Sequence, residues 1–210
     1  MKAKRAQTRI EEVINTITHL VGVVLVLVAI PFLVYNSFQE QDFLMMLSVL
    51  AFGVGMLMVY TFSSLYHAVR PSRLKEILNK MDHISIFFLI AGTYTPLVYR
   101  YTPSRTAIVF LSVMWGIVLL GIFYKLFFMK RRWLSMVFYL LMGWMLIFII
   151  KPMVANMPLD VLLWIGAGGL TYSIGVVFYA FSKVKYFHNI WHGFVMAGTA
   201  FHFIAVLISI

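Results

Sequence analysis

The chain has 210 residues, of which 62% are apolar and 11% are charged, and its mean hydropathy is +0.93. A soluble domain is usually about half apolar and about a quarter charged, so a water-soluble globule is excluded. The sequence contains no cysteine, which excludes disulfides, Cys-based zinc sites and thiol nucleophiles. The composition predicts an all-α integral membrane protein whose chemistry depends on His, Asp, Glu, Ser, Tyr or backbone groups.

Seven apolar runs, each near the roughly 20 residues of a membrane-crossing helix, are separated by polar or turn residues. They predict one domain, residues 1–210, that folds as a seven-transmembrane helix bundle. Within the sixth run, Gly166, Gly168 and Gly169 predict close helix packing. The predicted spans are about 18–36, 43–67, 82–101, 106–125, 133–151, 158–181 and 187–209.

Basic residues are unevenly distributed between the two sides of this predicted bundle. Cytoplasmic loops of membrane proteins carry an excess of Lys and Arg, so the N-terminus is predicted in the cytoplasm and the C-terminus outside. The net charge of +10 therefore indicates a multi-pass protein of the cell membrane, with membrane lipids and not nucleic acid as partners. The richer side has Lys2, Lys4, Arg5, Arg9, Arg70, Arg73, Lys75, Lys80, Lys125, Lys130, Arg131, Arg132, Lys183 and Lys185, and the other side has Arg100, Arg105 and Lys151.

Histidines with helical spacing are the first candidate site residues. His188 and His192 are four apart, which places both imidazoles on one helix face where they can bind a single metal ion. His67, at the end of the second run, supplies a third imidazole, as in catalytic zinc sites. The alternative is histidines bonded to carbonyls or lipid headgroups. Ser63, one turn before His67, could bond water at a metal or simply its own helix.

Asp82 and a polar stripe before the first span complete the candidates. Asp82 begins the third predicted span. Its carboxylate is either stabilised there by the positive end of the helix dipole or accepts a proton from water at a metal. Glu12, Asn15 and His19 share one helix face. That stripe either surrounds a site or forms an amphipathic approach helix.

The predicted topology brings the ionisable candidates to one membrane face. The cytoplasmic end of the bundle should hold His19, His67, Asp82, His188 and His192. His202 falls about 15 Å further out along the seventh helix. We therefore expect His202 to pack or to form a hydrogen bond, and not to bind the same metal.

Four motifs in this order resemble the bacterial hemolysin III family, within the superfamily of progestin and adipoQ receptors that includes the adiponectin receptors. The resemblance implies a seven-helix bundle with a cytoplasmic N-terminus. It also implies a Zn²⁺ ion held by three histidines, which map onto His67, His188 and His192. An Asp that contacts the zinc-bound water in the receptors matches Asp82. The motifs are ExxNxxxH (Glu12, Asn15, His19), SxxxH (Ser63, His67), Asp82 with GTYTP, and HxxxH (His188, His192).

The related alkaline ceramidases use a similar Ser, Asp and three-His arrangement to hydrolyse a lipid amide. The resemblance therefore implies a zinc-dependent hydrolase of lipid amide or ester bonds, linked to membrane lipid homeostasis. Asp82 and Ser63 are its expected catalytic residues. Glu12, Asn15 and His19 are expected to surround and contact the metal ligands. The long cytoplasmic N-terminal domain of the adiponectin receptors has no counterpart in this sequence, so we expect no hormone-receptor role.

Two other functions remain open at this point. One is a non-enzymatic sensor or regulator of membrane state, in which zinc is structural. The other is a pore-forming or cytolytic protein, as the family name suggests, although ionisable residues gathered at one membrane face do not line a path across it. Three imidazoles would also suit copper, nickel or iron.

Overall fold

The computed structural model describes residues 5–127 and 132–210, and within these ranges every regular element is helical. Four of the basic residues on which the predicted orientation depends lie outside the described residues: Lys2, Lys4, Lys130 and Arg131. The elements are α1 (Arg9–Gln39), α2 (Phe43–Ala68), α3 (Arg73–Tyr101), α4 (Ser104–Phe127), α5 (Arg132–Gly143), a 3₁₀ helix (Met145–Ile149), α6 (Ile150–Asn156), α7 (Leu159–Ala180) and α8 (Phe187–Leu207).

Seven helical stretches among the described residues are long and apolar enough to cross a membrane. Six of them are single helices, and the fifth, Trp133–Asn156, joins α5, the 3₁₀ helix and α6. The predicted all-α fold with seven spans is therefore confirmed, and the chain is a multi-pass membrane protein.

Two helices begin well before the apolar runs that predicted them. α1 begins at Arg9 and α3 at Arg73, not at residues 18 and 82. Thr8 caps α1 in a reciprocal capping box with Glu11, and Ser72 caps α3. Hydropathy marks only the apolar stretch along a helix, whereas the capping residue determines where the helix starts. The polar first turns extend both helices beyond the apolar run.

Glycines let α2 and α3 approach each other backbone to backbone. A Cβ added at Gly55 would lie 2.8 Å from the Leu89 Cα, and one at Gly92 would lie 2.6 Å from the Ala51 carbonyl oxygen. Small residues allow this close packing of membrane helices. The contact fixes α2 against α3, and these helices carry the candidate residues His67 and Asp82.

The fifth span is interrupted near its middle. α5 ends at Gly143, whose carbonyl accepts a hydrogen bond from the Tyr94 hydroxyl at 2.7 Å. The same hydroxyl accepts from the Leu146 amide at 3.1 Å. Irregular backbone at membrane depth is tolerated where protein groups satisfy it or where it lines a cavity. Tyr94 thus stabilises an interruption that hydropathy alone did not predict.

The three glycines of α7 differ in their surroundings. Gly168 packs directly against the His202 ring, which a Cβ at this position would overlap. A Cβ at Gly166 or Gly169 would meet nothing within 4 Å among the described residues. The prediction of close packing is therefore correct for Gly168 and wrong for the other two glycines, which face open space.

The predicted orientation can be tested by labelling, because the chain has no native cysteine. A membrane-impermeant maleimide should label Ser104→Cys, at the exposed start of α4, in intact cells. It should label Lys185→Cys, in the loop before α8, only after the cells are permeabilised. The physical reason is the excess of Lys and Arg on the side that includes Lys185. The reverse labelling pattern would contradict the predicted orientation.

Candidate metal centre

Three imidazoles from two helices meet at one end of the bundle. His67 lies in the last turn of α2, while His188 and His192 lie in the first two turns of α8. One nitrogen from each ring lies within 4.8 Å of the others, and the Nε2 atoms of His188 and His192 are 3.2 Å apart. His67 and His192 are buried. The three-histidine cluster can therefore hold a metal ion.

Glu12 fixes the protonation of the His67 ring. His67 Nδ1 lies 2.5 Å from Glu12 Oε2, and the other Glu12 oxygen accepts from Lys75 Nζ at 3.0 Å. Because an ionised carboxylate only accepts, Nδ1 must carry the proton and donate it. The lone pair of His67 then resides on Nε2, a buried atom without a partner among the described residues. A carboxylate behind a histidine in this way is typical of metal sites.

The rest of the polar stripe on α1 also faces the histidines. His19 stacks on His192, with ring centroids 3.8 Å apart and planes 13° from parallel. The Asn15 Nδ2 lies 3.5 Å from His67 Nδ1, and Asn15 Oδ1 accepts from Asn189 Nδ2 at 2.7 Å. Glu12, Asn15 and His19 thus contact the cluster or its partners, which favours a stripe that surrounds a site over an amphipathic approach helix.

Two polar residues beside the cluster were missed by sequence reasoning. Glu11 is only 1% exposed; its carboxylate accepts from Arg5 and from the Tyr186 amide at 2.9 Å. Asn189 donates to the Glu11 carbonyl at 2.8 Å and joins α8 to α1. The Thr8-x-x-Glu11 capping pattern could have revealed Glu11. Asn189 had only its position between His188 and His192 as a signal.

Ser63 and Asp82 line the same cavity as His188 and His192. Because α3 begins at Arg73, Asp82 lies inside the helix, so the alternative that it serves a helix start is wrong. Ser63 is 1% exposed and makes no hydrogen bond to its own helix in the described part of the chain, whereas Ser64 does. The two side chains face the space beside the histidines.

This cavity has a volume of about 380 Å³ and a mostly apolar lining. Its walls come from α2, α3, the fifth span, α7 and α8, with His19 of α1 at the end near the histidines. Gly143, Gly166 and Gly169 lie on its wall, and each has nothing within 4 Å of an added Cβ among the described residues. The side between the fifth span and α7 is therefore loosely packed. The cavity joins a cluster of polar residues to a space suited to hydrocarbon.

Comparison with known proteins agrees with this architecture. The family model described as "Haemolysin-III related" matches residues 7–203, which include every candidate site residue. The chain is 38% identical over 198 residues to the "Hemolysin-3 homolog" of Bacillus subtilis (strain 168), covering 94% of this chain and 93% of the relative. It is 33% identical to "Hemolysin-3" of Bacillus cereus, covering 94% and 90%. It is 28% identical to the "Monocyte to macrophage differentiation factor" of Homo sapiens, covering 74% and 67%. The chain belongs to the haemolysin-III-related family of membrane proteins.

Proposed function

We propose that this protein is a zinc-dependent hydrolase that cleaves an amide or ester bond of a membrane lipid at the cytoplasmic face. The observation that carries the proposal is the three-histidine cluster beside a largely apolar cavity that Ser63 and Asp82 also line. Such an enzyme would act in membrane lipid homeostasis.

The residues present fit a zinc ion. Three neutral imidazoles are a ligand set of catalytic zinc sites, which keep a fourth position for water or substrate. Buried polar atoms are normally hydrogen-bonded, and His67 Nε2 is buried without a partner in the described residues. Glu12 holds this nitrogen in the form that has a free lone pair. Zinc is proposed over other divalent ions on this ligand set together with the family resemblance.

Zinc bound there would acidify water and polarise a carbonyl oxygen. The chain supplies the remaining groups. The Asp82 carboxylate would take the proton that the attacking water releases and pass it to the leaving group. The Ser63 hydroxyl would donate a hydrogen bond to the carbonyl oxygen as negative charge develops. The apolar lining would hold the acyl chain, which would enter from the bilayer beside Gly166 and Gly169.

A second candidate is a sensor of membrane state with a structural metal. It is favoured by the position of the cluster, which joins α2 to α8, while Glu12 and Asn15 of α1 pack against it. A metal there would tie α2 to α8 directly and α1 through Glu12, so its loss would loosen the bundle. Nothing among the described residues favours the pore-forming alternative.

Metal content tests the cluster first. Detergent-purified wild type should carry about one zinc per chain, measured by mass spectrometry. His67→Ala and the double variant His188→Ala/His192→Ala should lose it, because each removes at least one ligand. His202→Ala should retain it. A folded, zinc-supplied wild type without metal would contradict the proposal.

Glu12→Gln should weaken zinc binding about 10- to 100-fold, because the amide no longer fixes the His67 tautomer as a carboxylate does. Competition with a chromophoric chelator measures the affinity. Glu76→Gln, an exposed change in the first turn of α3, is the matched control. Equal affinities in the two variants would show that Glu12 does not support the metal.

Hydrolysis is tested with zinc-loaded protein and a panel of lipid amides and esters. Asp82→Asn should lower kcat roughly 10²- to 10⁴-fold through loss of proton transfer. Ser63→Ala should lower kcat about 10²- to 10³-fold through loss of a donor. Both variants should keep their zinc, and Asp160→Asn, in the first turn of α7, should keep activity.

Absence of product in every member of the panel, together with a lower melting temperature after chelation, would favour the sensor over the hydrolase.

A further inference from the structure

A second polar group lines the cavity far from the metal centre. His202 lies about 15 Å beyond His192 along α8, at 1.5 Å per residue. It is 8% exposed and lines the same cavity. A histidine within a membrane-spanning helix is costly and marks a functional site by default.

The hydrogen bonding of His202 leaves one nitrogen available. Nδ1 lies 2.7 Å from the Gly198 carbonyl oxygen, which can only accept, so Nδ1 carries the proton. Nε2 is therefore an acceptor. Among the described residues nothing donates to it, and the atom is not fully buried. It thus retains surface that is open to the cavity.

The surrounding helices hold the His202 ring in place. Tyr172 stacks on it, with centroids 5.4 Å apart and planes 20° from parallel, and Gly168 makes room on the α7 side. The Thr199 hydroxyl donates to the Val195 carbonyl, so the Tyr172 hydroxyl donates to Thr199. The hydroxyl protons of Tyr172 and Thr199 are thus donated to other acceptors, and His202 Nε2 presents a fixed acceptor to the cavity.

We infer that His202 recognises a hydroxyl group on the acyl chain of the bound lipid, through a hydrogen bond from that hydroxyl to Nε2. The inference rests on the proposed function only in taking the ligand as an acyl chain with its carbonyl end at the metal centre. Atoms three bonds apart in a fully extended chain lie about 3.8 Å from each other. The 15 Å between His192 and His202 therefore places the hydroxyl about twelve bonds from the carbonyl. The substrate class is lipids with mid-chain hydroxylated acyl groups.

Binding of fatty acids to zinc-loaded protein in detergent tests this inference without turnover. The probes are 12-hydroxyoctadecanoic, 2-hydroxyoctadecanoic and unsubstituted octadecanoic acid, each displacing a fluorescent fatty acid. Wild type should bind the 12-hydroxy acid about fivefold more tightly than the unsubstituted acid, the size expected for one neutral hydrogen bond. The 2-hydroxy acid should gain nothing from His202, because its hydroxyl lies near the carboxyl group.

Two variants separate recognition from packing. His202→Leu should bind the 12-hydroxy and unsubstituted acids equally, whereas His202→Gln, whose amide oxygen accepts, should regain part of the preference. Zinc content and elution in size-exclusion chromatography show that each variant is folded. Should neither variant fold, the comparison of the three acids in wild type decides alone.

A wild type without preference for the 12-hydroxy acid would overturn the inference, as would an equal preference in His202→Leu. Failure of all three acids to bind overturns it too, while metal content and lipid turnover still test the proposed hydrolase. Conversely, a His202-dependent preference in a protein without turnover would support the binding site and count against the hydrolase.

Discussion

Burying imidazoles in an apolar bundle is costly, and this constraint gathers His19, His67 and His192 where the first, second and last spans meet. The hydrogen bond between Glu12 and His67, 2.5 Å long, joins α1 to α2. Lys75 neutralises the same carboxylate from α3. The stacked rings of His19 and His192 join α1 to α8. The first three helices and the last one are thus held together by contacts between polar side chains at one end of the bundle.

The polar end depends on tight packing on one side of the molecule and loose packing on the other. In the most apolar stretch of α2 and of α3, half or more of the residues are buried within the protein. In the corresponding stretches of the fifth span and α7, only 17% are buried. The close approach at Gly55 and Gly92 explains the first value, and the interrupted fifth span is consistent with the second. The cavity lies at the boundary, so its rigid wall carries Ser63 and Asp82 while its other wall borders the loosely packed spans.

Both proposals depend on the two ends of this one cavity. One end is lined by His188 and His192, beside which Glu12 leaves His67 Nε2 as a free acceptor; at the other end the Gly198 carbonyl leaves His202 Nε2 as a free acceptor. In each case a fixed hydrogen bond on Nδ1 determines what the opposite nitrogen can bind. The lining between them is mostly apolar, which suits a hydrocarbon chain.

The sequence by itself determined the membrane class, the seven spans and the shared face of His188 and His192, because composition and helical periodicity are local properties. Its motifs also pointed to Glu12, Asn15 and His19. Only the tertiary structure decided that His67 meets the α8 pair and that Gly168, but not Gly166, packs against a neighbour. The position of Asp82 inside α3 is also a local property, set by the cap at Ser72, but hydropathy does not contain it. Contacts between helices depend on how distant segments pack, and no local pattern of residues contains that information.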